Sequence, residues 1–217
     1  MTECPYCAEI NNVYEGNIFY SFTGKRNYIM RETQHFVVLP SLGMFIEGFL
    51  LMVPKEHYLS LGALPENLFV ELYELKEFVI KLYHDIYNKP PIFFEHGSTS
   101  CMRRGGACVE HAHLQSVPLK KDLKPELIRL LGSPLEINKY EDLRNLYAKD
   151  QPYIFYERFD GKMFVWEVSI LPSQFFRQVL AKEIGKTEKW NWQSYIGKDE
   201  IIRFISKYEK WKDQNDC

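Results

Sequence analysis

The chain has 217 residues, 46% of them apolar and 15% aromatic, enough to bury a sizeable core in one large domain or one domain with an extension. Its 27 Lys and Arg stand against 29 Asp and Glu, and the formal net charge of -2 excludes a global basic field for nucleic acid; any phosphate site must be local. The longest apolar stretch, GMFIEGFLLMVP, is interrupted by Glu47 and too short to span a bilayer.

The opening MTECPYCAEI has neither the charged n-region nor the apolar h-region of a secretory signal, so a reducing, cytoplasmic setting is expected. Five cysteines, an odd number, suit a disulfide framework poorly, and Cys4-x-x-Cys7 in that setting reads as metal or redox chemistry. The polar AEINN that follows, in place of a thioredoxin-type helix, weakens the redox reading and suggests a zinc-ribbon type of start without its own core. Cys101 and Cys108 flank a glycine-rich loop, and Cys217 closes the chain as an inert tail residue.

Strands are predicted around NYIMRET, then over QHFVVLP and GFLLMVP, which are rich in β-branched and large apolar residues and make a hairpin or meander. Pro65 and Glu66 open a long amphipathic helix with Leu68, Leu72, Leu75, Phe78, Val79 and Tyr83 at core spacing, ending before Pro90-Pro91. PIFFEHG reads as a strand entering the loop STSCMRRGGA, whose paired glycines let backbone N–H groups approach an anion. VEHAHLQSVP, residues 109–118, reads as the next strand. Lys120 to Lys149 is charged and helix-prone. A second hairpin, PYIFYERF and KMFVWEV, is joined by Asp160-Gly161, a type I′ turn pair. LPSQFFRQVLAKEIG follows as a helix with Ser173 as N-cap and Gly185 as the stop, and DEIIRFISKYEKW as another helix.

Positions i, i+2 and i+4 of a strand line one face, so the strand places His111, His113 and Gln115 together. Six histidines give roughly 0.14 H-x-H pairs by chance in such a chain, so the pair alone is modest and its context decides. That context is the glycine loop upstream and VPKEHYLSL at the end of an earlier strand.

VPKEH, an amphipathic helix, a strand, a glycine-bearing loop and HAHLQSVP together resemble the histidine triad superfamily of nucleotide hydrolases and transferases, over roughly residues 1–118. Gln in place of the third His is similar to the branch of galactose-1-phosphate uridylyltransferases and dinucleoside polyphosphate phosphorylases. PSQFFRQVLA and the hairpin before it resemble C-terminal extensions of some triad-related proteins, splicing-factor relatives among them. The resemblance implies an α+β fold with an antiparallel sheet of about five strands and the long helix packed on it. It divides the chain into a catalytic domain with a zinc-binding start, residues 1–118, and a C-terminal α/β extension, residues 119–217, packed on the same domain. It makes His113 the nucleophile that attacks an α-phosphorus, and Gln115 a donor to a phosphate oxygen. It puts Gly105, Gly106 and Cys108 at the phosphate, with Arg103 and Arg104 nearby, although loop arginines are more often simply solvated. Counting back from His57, the place of an acidic ribose-binding residue falls on Ser41, and Glu95 stands where an Asn often precedes the glycine. Both are taken as substrate-binding positions.

The resemblance also implies that Cys4 and Cys7 share one structural zinc with His57 and His111. Alone, His57 would read as a helix cap or surface residue. His84 reads as an exposed helix residue, His35 as a strand residue, and His96 as a residue near the site. The expected activity is a nucleotidyl hydrolase or transferase acting on a phosphate anhydride or ester, such as a dinucleoside polyphosphate, through a nucleotidyl-histidine on His113. The alternative is a non-catalytic nucleotide- or RNA-end-binding module acting through a protein partner. A homodimer is allowed by the resemblance; a membrane span and an extended nucleic-acid surface are not expected.

Overall fold

The computed structural model describes residues 4–11, 13, 18–24, 26–100, 105–107 and 109–215. In chain order its elements are α1 (Pro5–Ile10), α2 (Ile18–Thr23), β1 (Arg31–Glu32), β2 (Phe36–Pro40), β3 (Leu50–Pro54), α3 (Leu68–Tyr87), β4 (Pro91–Gly97), β5 (Leu114–Pro118), α4 (Lys124–Leu131), β6 (Leu135–Ile137), α5 (Leu143–Ala148), β7 (Tyr153–Glu157), β8 (Met163–Glu167), α6 (Phe175–Glu183) and α7 (Lys198–Asn215). The class is α+β, but the described strands form one antiparallel sheet of eight rather than about five, in the order β1-β2-β3-β5-β4-β7-β8-β6. The second hairpin enlarges it: β7 pairs with β4 from Phe93↔Glu157 to Gly97↔Tyr153, so strands from both sides of residue 118 share one ladder. β6 falls in the stretch read as helix-prone. Two of its three side chains are exposed, so it carries no alternating signal, and it is held by pairing with β8.

Alternation sorts the side chains onto two faces. Phe93 and Glu95 of β4, Ser116 of β5 and Glu157 of β7 fall on the α3 face. Tyr83 of α3 meets Ser116 Oγ at 2.8 Å, and Lys76 Nζ meets Glu157 Oε1 at 2.6 Å while lying over the Phe93 ring. Leu68, Leu72, Leu75, Val79 and Tyr83 of α3 are buried, each contributing about 1.5–3 kcal/mol of apolar burial. The helix stops at Asn88 in the left-handed conformation. On the opposite face Phe94 stacks on Phe176 of α6, ring centroids 4.0 Å apart. α7 lies on α3, where Trp211 Nε1 donates to Asp85 Oδ2 at 2.9 Å.

Local chemistry departs from expectation at four places. The CPYC segment is helical, because Pro5 sits at the first turn of α1, where its missing N–H costs nothing. The Asp160-Gly161 hairpin is not type I′, since only Gly161 has a positive φ. Gly161 N–H returns to Arg158 O and Arg158 N–H to Lys162 O, which makes a three-residue loop. α6 is entered through Gln174, not Ser173, with Gln174 at φ 60. His35 precedes β2 and gives its Nδ1 to Glu71 Oε2 at 2.6 Å instead of lying in a strand. His84 is exposed on α3, as expected. Among the described residues no helix is long and apolar enough to cross a membrane.

The C-terminal segment is clamped to the loop after β2. Gly43 N–H donates to Ile196 O, and Gly197, at φ +70, lies so close to Met44 that an added Cβ would sit 2.4 Å from Met44 O. Gly197→Ala is expected to cost about 2 kcal/mol or more, combining a left-handed non-glycine with a backbone clash. Chemical denaturation of the variant beside the wild type measures it.

Candidate functional site

Residues 109–113 are not strand. The ladder begins at Leu114, and the preceding bend is held by Ala112 N–H donating to Tyr58 O at 2.6 Å. His111, His113 and Gln115 therefore do not share one strand face. His111 turns into a cluster with the cysteines, while His113 and Gln115 line a cavity on the α6 side.

His111 Nε2 lies 2.8 Å from Pro54 O. A carbonyl only accepts, so Nε2 carries the proton and Nδ1 keeps its lone pair. That lone pair faces Cys4 Sγ at 3.3 Å and Cys7 Sγ at 3.6 Å, while His57 Nδ1 is 3.4 Å from Cys7 Sγ. All four ligand atoms lie within 4.8 Å of one another. A tetrahedral zinc with bonds of about 2.3 Å to sulfur and 2.0–2.1 Å to nitrogen sets S···N edges of about 3.5 Å, which these distances match. Burial and the Cys4 sulfur push the Cys7 thiol up to about 12, and burial pulls His111 down to about 4. Two adjacent thiolates need a cation between them, and a neutral imidazole is the form that ligates; the donor set fits a dication.

His113 is fixed in the same manner. Its Nδ1–H donates to His111 O at 2.6 Å, which leaves the Nε2 lone pair as the reactive nitrogen. Burial lowers its pKa against the pull of that carbonyl, and Arg177 lowers it further, so the ring is neutral near pH 7.

The cavity opens to solvent and measures about 660 Å3 counted with its open mouth. Three separate parts of the chain wall it. α1 supplies Pro5, Tyr6 and Glu9; the end of β2 supplies Pro40, Ser41 and Leu42; and the C-terminal part supplies Gln174, Arg177 and Trp192. The Tyr6 ring bridges both sites, 5.8 Å from His111 and 5.2 Å from His113 between centroids. Arg177 is buried, donating to Trp190 O at 2.9 Å and to Gly43 O, with its guanidinium 4.8 Å from the Phe49 ring centroid. It places a fixed positive charge in the wall shared with His113, suited to an anionic ligand.

His96 also lines the cavity. Its Nε2 accepts the Phe176 N–H at 3.0 Å, so a buried imidazole, and no Ser or Thr, satisfies one of the free amides at the start of α6. Burial first, then the nearby His113 and Arg177, pulls its pKa to about 3; it stays neutral.

Of the substrate positions taken from the sequence, Ser41 is in the wall, its Oγ donating to Leu42 O at 2.9 Å. Glu95 is not. Strand alternation turns it to the α3 face, where its oxygens accept from Leu61 N–H at 2.7 Å and Tyr153 OH at 2.7 Å. It braces the sheet, and burial raises its carboxyl to about 8. Gly105 and Gly106 both have positive φ, Gly105 against the Gly97 and Tyr153 carbonyls and Gly106 beside His96, and Gly106 O accepts the Gln174 N–H at 2.9 Å, tying the loop to α6. Cys108, Cys101, Arg103, Arg104 and Cys217 lie outside the described residues. Tyr6, Glu9, Gln174, Arg177 and Trp192 were not anticipated. The Cys4-x-x-Cys7 pair was the available signal for Tyr6 and Glu9, since a tether to His111 draws its neighbours to the site; Arg177 and Trp192 carried none.

No family model matches the chain, and no curated protein matches it. Solved structures resemble it loosely. A HIT family protein from Bacillus anthracis is 15% identical over 68% of this chain and 94% of its own, with TM-score 0.43. A zinc-bound histidine triad family protein from Mycobacterium smegmatis is 16% identical over 68% and 94%, TM-score 0.42. A HIT family hydrolase from Clostridium thermocellum is 17% identical over 55% and 92%, TM-score 0.39. At these identities and scores the likeness assigns no role to any residue here.

Protein purified without chelator is expected to carry about one equivalent of zinc, falling below about half in Cys4→Ser, since a tetrahedral site that loses a thiolate holds the ion poorly. Elemental analysis of both proteins checks this.

Proposed function

We propose that the chain is a histidine triad protein of the H-x-H-x-Q kind, a nucleotidyl hydrolase or transferase working through a covalent histidine intermediate. The observation that carries this reading is the His113 ring, pinned at Nδ1 by the His111 carbonyl with Nε2 left for a buried cavity that also holds the Arg177 charge. Nε2 attacks the α-phosphorus, the phosphorus–nitrogen bond forms, and the leaving group departs with the electrons of the bond it held. Water or another acceptor then attacks the same phosphorus and loses its proton to solvent, the phosphorus–nitrogen bond breaks, and Nε2 recovers its lone pair.

Gln115 donates an amide hydrogen bond to a non-bridging phosphate oxygen but has no proton to give a leaving group. The substrates are therefore anhydrides or esters whose leaving groups depart as stable anions, such as dinucleoside polyphosphates and nucleotide sugars. Gly105 and Gly106, with the Cys108 region, supply backbone N–H groups near the phosphate in this reading. The Cys4, Cys7, His57 and His111 zinc pins α1 against the site as a structural metal.

Wild-type protein mixed with dinucleoside polyphosphates, nucleotide sugars and nucleoside phosphoramidates is expected to gain the mass of one nucleotidyl group or to turn over at least one of them. His113→Ala is expected to lose at least about 1,000-fold of that activity, because the covalent route closes with the nucleophile. Intact mass spectrometry and release kinetics read both. Binding without turnover in the two proteins alike would replace this reading with the non-catalytic nucleotide- or RNA-end-binding module.

A further inference from the structure

The cavity holds a hydrogen-bond donor that the chemistry of His113 and Gln115 does not use. His96 is 4% exposed and lines the cavity, and its Nε2 accepts the Phe176 N–H at 3.0 Å. A nitrogen that accepts an N–H carries no proton of its own, so the neutral ring is protonated at Nδ1. That Nδ1–H meets no acceptor among the described residues. The other edge of the ring is covered: Gly106, at φ +83, lies so close that an added Cβ would sit 3.3 Å from Cδ2. A buried N–H is nearly always paired, and in the wall of a cavity the acceptor is left to whatever enters.

The register of the sheet says what that acceptor is. β4 and β5 pair antiparallel through Phe94↔Gln115, and residues opposite each other project to one face. Continuing that register by two residues brings His96 level with His113. His96 is thus beside the nucleophile. In-line attack sets His113 Nε2 and the leaving group on opposite sides of the phosphorus, with the two non-bridging oxygens and the ribose 5′-oxygen around its equator. A group beside the nucleophile reaches an equatorial oxygen and not the leaving one. Nor does the ring act as an acid, because a proton on Nε2 would face the Phe176 N–H donor to donor.

We propose that His96 is a further catalytic residue: its Nδ1–H donates to one non-bridging oxygen of the α-phosphoryl group while His113 Nε2 attacks. The inference rests on the reading of His113 as the nucleophile. His113 Nε2 forms the phosphorus–nitrogen bond with its lone pair, the leaving group departs with the electrons of the phosphorus–oxygen bond that breaks, and His96 keeps its hydrogen throughout. Negative charge on the non-bridging oxygen then meets a donor already in place, since β4 fixes the backbone of His96 and the start of α6 fixes its ring. The C-terminal part of the chain, through the Phe176 amide, thereby sets the tautomer of a group in the reaction.

Two variants separate the donor from the helix cap. His96→Gln places a carbonyl oxygen where Nε2 accepts the Phe176 N–H but has no N–H at the Nδ1 position, whereas His96→Asn places an amide N–H near Nδ1 and falls short of Phe176. Thermal denaturation reads the cap. Steady-state kinetics read the donor, on dinucleoside polyphosphates and nucleotide sugars and on the Rp and Sp α-phosphorothioates of the one turned over fastest. His96→Gln is expected to melt at the wild-type temperature and to lose about 100-fold or more of kcat with little change in KM, the usual worth of one preorganised donor. His96→Asn is expected to melt lower yet to retain most of kcat. Sulfur accepts hydrogen bonds poorly, so the wild type is expected to favour one diastereomer by about ten-fold or more, and His96→Gln to lose that preference. Equal rates for the two diastereomers in the wild type, an unchanged kcat in His96→Gln, or a kcat that falls with melting temperature in both variants overturns the assignment and leaves the His113 reading standing. A wild type that turns over none of these substrates overturns both.

Discussion

His111 is held at both ring nitrogens, and the architecture around the cavity depends on that. Nε2–H is spent on the Pro54 carbonyl at the end of β3, Nδ1 faces the two cysteine sulfurs, and the carbonyl of the same residue receives Nδ1–H of His113. One residue thus ties three things: the end of a central strand, the N-terminal helix and the tautomer of the neighbouring imidazole. This is possible because residues 109–113 leave the ladder. In a continuous strand the two side chains would point to one face and compete for the same space.

The second consequence is that the cavity is assembled from parts remote in sequence. Its floor is β4 and β5, central strands of an antiparallel sheet, where backbone groups are paired on both sides and positions are rigid. Its walls are not in the sheet. α1 is too short to be stable alone, and its Cys4 and Cys7 sulfurs face His111 and His57 at 3.3–3.6 Å. α6 is placed by Phe176 stacking on Phe94, by His96 accepting at its first turn and by Gly106 accepting from Gln174. Arg177 rides on that helix, and its guanidinium is buried against Gly43 O and the Phe45 and Phe49 rings. The last 100 residues are therefore part of the cavity's construction as well as of the sheet.

Much of this was legible in the chain. Apolar spacing gave α3 its core face, the β-branched runs marked β2 and β3, and the family resemblance implied Cys4, Cys7, His57 and His111 as a ligand set, whose four donor atoms lie within 4.8 Å of one another. These features survive because they are local, or because the chemistry of a metal needs particular residue types. Where expectation failed, the reason was local too. Glu95 was assigned to the substrate because it stands where an Asn often precedes the glycine, but strand parity sends it to the other face, and the side chains at 111, 113 and 115 were given one parity when a bend divides them.

The sequence by itself determined the class of fold and the long helix, since periodicity and residue type are properties of short stretches. Only the tertiary structure decided that the second hairpin joins the first sheet, that an imidazole caps α6, and that Glu9 and Arg177 meet His113 in one cavity. Those contacts join residues separated by up to 168 positions of chain, and their energies come from burial and hydrogen bonding that exist only once the sheet has formed.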